Sequence, residues 1–235
     1  MSISRARLDR FISDKCQINR KKVRLLLAQK RVRVDGIIAT DIAQAIDKFS
    51  VILFDDKIIQ QHKPLYIMLH KPIGIVCATK DDKHVTVIDL LADLVTPQEQ
   101  ASLHIVGRLD LNTSGLVLLT NDSRWSEQLT SPQSKVAKHY LVTLEKPLTD
   151  EYIQAFAQGM YFAYEDITTK PVSLNILSKY HCEVILTEGR YHQIKRMFGR
   201  FNNPVTELHR TSIGCYVLDE HLKVGASKTI SITSL

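Results

Sequence analysis

The spacing of apolar residues switches between helical and strand periods along the chain, and a polar stretch separates two regions. Leu8, Phe11 and Ile12 recur at helical spacing, and Val23, Leu26 and Leu27 form the apolar side of a second helix that Asn19 can cap. The sequence Arg31-Val32-Arg33-Val34 then alternates, Asp35-Gly36 marks a turn and Ile37-Ile38 follows, which is a hairpin pattern. Residues 51–54 give a further strand, closed by Asp55-Asp56. Residues 56–64 are polar and end in proline, as linkers do. The pattern divides the chain into a small α/β module over residues 1–58, a linker over 59–64 and a second domain over 65–235.

In the second region, residues 66–69 and 76–79 read as strands around a turn at His70-Lys71-Pro72-Ile73-Gly74. Residues 85–95 carry apolar positions at helix-like spacing and stop before Pro97. The run Leu116-Val117-Leu118-Leu119 is long enough only for a strand buried on both faces. A short helix with Trp125 and Leu129 follows, then an alternating strand over 138–144 and an amphipathic helix from Thr149 or Asp150 to Gly159. Strands at 172–177 and 182–187 lead to a helix over 191–198, on which His192, Lys195 and Arg196 share a face. Strands at 204–209, 215–218 and 229–233 close the chain. The fold class is α+β. Most connections are too short for parallel crossovers, so the second domain should hold a mixed, largely antiparallel sheet flanked by helices.

Charge adds a partner to this picture. The net charge is +6, yet residues 61–235 hold 18 basic and 18 acidic residues, so the whole excess lies in residues 1–60. Residues 20–33 contain seven Lys or Arg and no acid. Like charges one helical turn apart repel, so such a face favours an external polyanion, most simply nucleic acid. No apolar run approaches the ~20 residues of a membrane span, and residues 1–5 lack a signal-peptide core, so a cytoplasmic protein without a membrane partner is expected. Cys16, Cys77, Cys182 and Cys215 form no close pair. The nine histidines lack ligand spacing, and no P-loop, G-x-G-x-x-G, H-E-x-x-H or G-x-S-x-G is present. No metal and no cofactor is therefore expected.

What remains is the stretch Gly107-Arg108-Leu109-Asp110-Leu111-Asn112-Thr113-Ser114-Gly115 ahead of the buried run. A loop entering a buried strand can hold Asp110 rigidly at the edge of a core, with Arg108 two residues before it. Taken alone, an Arg–Asp pair there is as readily structural as catalytic. A glycosidase would want a second carboxylate, and the one other acid beside a motif, Glu188, reads as part of a turn.

The motifs together carry a resemblance. The loop at 107–122, Lys138-His139-Tyr140, and the segment from Glu188-Gly189-Arg190 to Met197-Phe198 are similar to three ordered motifs of RNA pseudouridine synthases. Residues 5–55 resemble the RNA-binding domain named after ribosomal protein S4. The resemblance implies isomerisation of uridine without redox or phosphoryl transfer: the N1–C1′ bond breaks, the base turns, and C5 bonds to C1′. It implies Asp110, Tyr140 and Lys195 as catalytic residues. Asp110 would be a nucleophile at C1′ or C6, or a base at the sugar. Tyr140 would stack on the flipped base. Lys195, where the wider family often carries Arg, would pair with Asp110. It further implies RNA contacts from Arg108, Arg190, His192 and Arg196, and phosphate contacts from Arg20, Lys21, Arg24, Arg31 and Arg33. Tyr191-His192 stands where the large-subunit branch tends to have Asn and Arg, so the implied partner is 16S rRNA, or an assembly intermediate of the small subunit, with uridine 516 as target and the enzyme a monomer. The alternatives are a large-subunit rRNA synthase and a non-catalytic RNA-binding assembly protein.

Overall fold

The structure is a computed structural model that describes residues 6–232. The signal-peptide reading of residues 1–5 and the last residue of the strand read at 229–233 lie outside the described residues. The chain forms two compact units, one of residues 1–64 with 122–124, the other of the remainder.

The first unit is built on the two expected helices, Leu8–Cys16 and Arg20–Ala28. Asn19 accepts the Lys21 N–H at 2.9 Å and so caps the second. Leu8, Ile12, Val23, Leu26 and Leu27 pack against Val32, Val34 and Ile52 of a four-stranded antiparallel sheet. Asp35 and Gly36 both have positive φ, as a two-residue primed hairpin turn requires.

One expectation fails here. Asp55 and Asp56 also have positive φ and make a second such turn into an edge strand, Lys57–Gln60, so the segment read as the start of a linker belongs to the sheet. This strand faces solvent widely and has no apolar alternation to announce it.

Asp9 is buried at the start of the first helix. It accepts from Arg7 at 3.1 Å and Arg20 at 2.8 Å. The Arg7 hydrogen bonds, above all, hold its carboxyl down at about 2. A carboxylate with a depressed folded-state value contributes stability that is complete above the ordinary carboxylate range and lost as pH falls toward that value. Asp9→Asn should therefore destabilise the protein at pH 6 and remove part of its acid sensitivity between pH 4 and 2, read by urea denaturation at both ends. Equal acid sensitivity in wild type and variant would refute the assignment.

Beside a two-stranded ribbon of Tyr161–Phe162 and Ile167–Thr168, the described residues of the second unit form one large mixed sheet. Its order is Ser173–Ile176, His181–Leu186, Lys138–Leu144, Val205–Ile213, Ser114–Thr120, Tyr66–Lys71 and Ser227–Thr229. All neighbours in this order are antiparallel except Val205–Ile213 beside Ser114–Thr120. The strand Ser114–Thr120 is buried on both faces, as its unbroken apolar run predicts. Val117 and Leu119 face one core, with Ile194, Met197 and Phe198 of the helix Gln193–Gly199. Leu116 and Leu118 face another, with Trp125 and Leu129 of the helix Ser123–Thr130.

Residues 76–79 form no strand, only an isolated bridge between Val76 and Thr86. Residues 85–95 form a short 3₁₀ turn, Asp89–Leu91, rather than a helix. Four consecutive β-branched residues, 85–88, oppose helix, and Thr86 directs its N–H and hydroxyl to the Asp89 carboxylate instead. The helix lies further on, at Pro97–Gln100, where Thr96 and Glu99 form a capping box and proline opens the first turn.

The fork that holds the Asp110 loop follows from this topology. One edge of Ser114–Thr120 is shared: Ser114 and Gly115 pair with His209 and Arg210, while Leu118–Thr120 pair with His104–Val106. Residues 107–113 cross the gap where these two neighbours diverge. Gly115 makes the close approach possible. Its φ is +110°, and a Cβ there would sit 2.2 Å from the Arg210 carbonyl oxygen. Among the described residues no helix is long and apolar enough to cross a membrane.

Candidate active site

Residues 107–113 are held from three sides. The Arg210 guanidinium donates to the Gly107 carbonyl at 2.7 Å, the Arg108 carbonyl at 3.4 Å and the Leu116 carbonyl at 2.9 Å. The Leu109 N–H donates to the Cys77 thiol at 3.3 Å. The Lys71 ammonium lies within 2.8–3.3 Å of four carbonyls, those of Pro72, Asp110, Leu111 and Thr113. Lys71 is 0% and Arg210 2% exposed. Burial lowers the Lys71 ammonium below its ordinary range, and burial raises the Cys77 thiol. The loop backbone is therefore fixed by two buried cations that touch no carboxylate among the described residues, which places the Asp110 side chain at the wall of a cavity.

The cavity encloses about 830 Å³, within the ~300–1,000 Å³ range of small-ligand sites. Asp110, one-third exposed, faces His192 Nε2 at 3.4 Å and Lys195 Nζ at 3.9 Å. Tyr140 forms part of the wall and is nearly buried. It stands opposite Arg210 in the strand register, where a register shift leaves Thr211 of the Val205–Ile213 strand as the extra residue and keeps the alternation of Lys138–Leu144 unbroken. Its hydroxyl lies 3.4 Å from the Arg210 guanidinium.

The structure thus brings Asp110, Tyr140 and His192 to the wall of this cavity, while Lys195 reaches the carboxylate from a smaller adjoining pocket of about 100 Å³ that those three residues also line. His192 has φ 48°, immediately before the helix, and its ring stacks on Tyr191 at 3.9 Å. Arg108 is exposed at the rim, and its side chain makes no hydrogen bond or ion pair among the described residues. Arg196 does not share the face of His192 and Lys195. It makes a bidentate pair with Glu165 at 2.5 and 2.6 Å and lies over the Phe162 ring at 3.8 Å. Helical spacing cannot separate these directions, because His192 precedes the helix rather than belonging to it. Arg190 is tied to Glu188 at 3.1 Å.

In the first unit, Lys21 and Arg24 are exposed, Arg20 is engaged by Asp9, Arg31 is held bidentately by Asp55 at 2.5 and 2.6 Å, and Arg33 reaches the Gly36 carbonyl at 3.4 Å.

Sequence reasoning missed Lys71, Arg210 and the Glu188–Gln193 brace. Glu188 is more than a turn residue: its buried carboxylate accepts from Gln193 Nε2, Arg190 and the Lys170 N–H and so fixes the turn that presents His192. For Lys71 the available signal was a cation closing an otherwise largely apolar strand, whereas Arg210 sits among polar residues in Val205–Ile213 and gave none.

The point charge on Lys195 supports the carboxylate directly. Lys195→Met should lower kcat by roughly 10²-fold, and Lys195→Arg should recover most of it. Equal rates in all three proteins would exclude the pairing as functional.

Comparison with known proteins agrees with this geometry. The family described as RNA pseudouridylate synthase matches residues 65–199. The chain is 43% identical to ribosomal small subunit pseudouridine synthase A of Pseudomonas aeruginosa, over 96% of both chains. It is 40% identical to the protein of that name in Escherichia coli, with the same coverage. A crystal structure described as a pseudouridylate synthase superimposes with a TM-score of 0.68 at 38% identity over 96% of both chains. A sheet that forks around a carboxylate loop, and relatives that match end to end, make this chain a member of the RNA pseudouridine synthase family.

Proposed function

We propose that this chain isomerises uridine to pseudouridine in small-subunit ribosomal RNA, with uridine 516 of 16S rRNA as the target and the RNA, alone or in an assembling particle, as its partner. The observation that carries the reading is Asp110 itself: a carboxylate on a backbone fixed by buried cations, at the wall of a cavity with room for a nucleoside and its flanking backbone, faced by His192 and Lys195. The names of the relatives supply the substrate class.

Tyr140 offers the flipped base an aromatic wall. Asp110 acts as nucleophile at C1′ or C6 or as a base at the sugar, and Arg108 at the rim holds the strand that the base has left. The first unit acts as an S4-like RNA-binding domain. In it Lys21 and Arg24 are the exposed contacts, while Arg20 and Arg31 would have to divide their charge between phosphates and Asp9 or Asp55. The reading places the protein in the cytoplasm as a monomer.

The test is incubation with 16S and 23S rRNA and with small-subunit precursors, followed by mapping of pseudouridine at single-nucleotide resolution. One new pseudouridine in 16S rRNA at position 516 is expected. Modification of 23S rRNA alone would establish the large-subunit alternative, and none in any substrate would establish the non-catalytic one.

A further inference from the structure

Three cations in the second unit are more than nine-tenths buried: Lys71, Lys138 and Arg210. Lys71 and Arg210 are saturated with oxygen acceptors, as described above. Lys138 is not. Its ammonium, with three protons to give, donates to one carbonyl, that of Val136 at 2.9 Å. Among the described residues no carboxylate lies within ion-pair distance of it.

The alternation of Lys138–Leu144 sends Lys138 and Tyr140 to the same face of the sheet, and both line the cavity that holds Asp110. Lys170, which lines the same cavity, is partly exposed, with its ammonium 3.5 Å from the Pro132 carbonyl. Burial lowers Lys138 below the ordinary lysine range, and the like charges of Arg210 and Lys170 act in the same direction. A buried cation faced by two other cations and given one hydrogen bond is costly in the free protein. An anion entering the cavity would offset that cost.

We propose that Lys138, with Lys170, forms an anion subsite in the cavity that takes a backbone phosphodiester adjacent to the nucleotide lying against Asp110. The position follows from chain geometry. Tyr140 and Lys138 are two residues apart on one strand face, about 6–7 Å, which is close to the separation between a base and a flanking phosphate. The subsite fixes the ribose relative to the carboxylate, a task that Asp110, His192 and Lys195 leave undone. The inference rests on the reading of this cavity as a uridine site.

The experiment uses the full chain carrying Asp110→Asn, so that binding is measured without turnover, and a fragment of small-subunit rRNA as ligand. Lys138→Met should weaken binding about 10–100-fold, the size of one charge-assisted contact. It should also reduce the slope of log affinity against log salt by about 1. Lys170→Met should do the same to a smaller extent. The melting temperature separates this role from a structural one: Lys138→Met removes an uncompensated buried charge and should leave the melting temperature equal or higher.

RNA fragments with a neutral methylphosphonate at one linkage at a time locate the contact. At one linkage wild type and Lys138→Met should bind equally. A lower melting temperature with unchanged affinity and salt slope would overturn the subsite. So would protection of Lys138 by inorganic phosphate with no difference on any modified RNA, which would assign the site to a free anion. Activity retained by Asp110→Asn would instead refute the proposed chemistry and leave the binding result standing.

Discussion

Asp110→Asn leaves a folded protein that binds RNA and has lost at least about 10³-fold in kcat. The substitution keeps the shape of the side chain and removes its charge and basicity. The loop is held through the carbonyls of residues 107, 108, 110, 111 and 113 and the N–H of Leu109, none of which is altered. Stability should therefore stay within about 1 kcal/mol of wild type, as for substitutions that disturb no packing. The rate falls because an amide neither adds to an electrophilic carbon nor takes a proton at neutral pH. Single-turnover assays with labelled RNA would read the rate, and a melting curve the fold. Full activity in a folded variant would remove Asp110 from the chemistry. A large fall in melting temperature would show instead that its carboxylate braces the helix bearing Lys195.

The parts of this site that were legible in the sequence are those whose residues sit next to each other in the chain. The Asp110 loop, the Lys138-His139-Tyr140 strand and the Glu188-Gly189-Arg190 turn each announce themselves locally. Their meeting in one cavity does not, because it depends on strand order, with Val205–Ile213 inserted between Lys138–Leu144 and Ser114–Thr120. That insertion brings Arg210 under a loop a hundred residues earlier, and periodicity carries no trace of it.

The errors have local physical causes as well. Apolar spacing over 85–95 imitates a helix that β-branching and the Thr86–Asp89 hydrogen bonds forbid. The Lys57–Gln60 strand is polar because it lies at an edge. Arg196 was grouped with Lys195 by helical spacing, whereas Glu165 and Phe162 draw it elsewhere.

Lys71→Met tests whether the buried cations set the loop rather than merely fill space. The two side chains have similar length and volume, so no cavity forms. What is lost is a donor at the centre of four carbonyls. Leu111 keeps the Gly74 N–H and Asp110 the Thr113 N–H, while the Pro72 and Thr113 carbonyls lose their contact at 3.0 and 2.8 Å. An acceptor stripped of its partner in a dry interior costs about 1–3 kcal/mol. Relief of the desolvated charge offsets part of that. A net loss of about 2–4 kcal/mol should follow, which lowers the melting temperature by about 5–10 °C in a unit of this size. Activity should fall at least as far as in Lys195→Met, because the Asp110 backbone is released and a displacement near 1 Å is enough to cost ~10²-fold.

The same chemical change at Lys138 is expected to leave the melting temperature equal or higher. Opposite signs from one substitution would separate a cation that the fold has satisfied from one that it reserves for a ligand. A melting temperature unchanged or raised in Lys71→Met would show that the four carbonyls find other partners and that the loop does not depend on the ammonium.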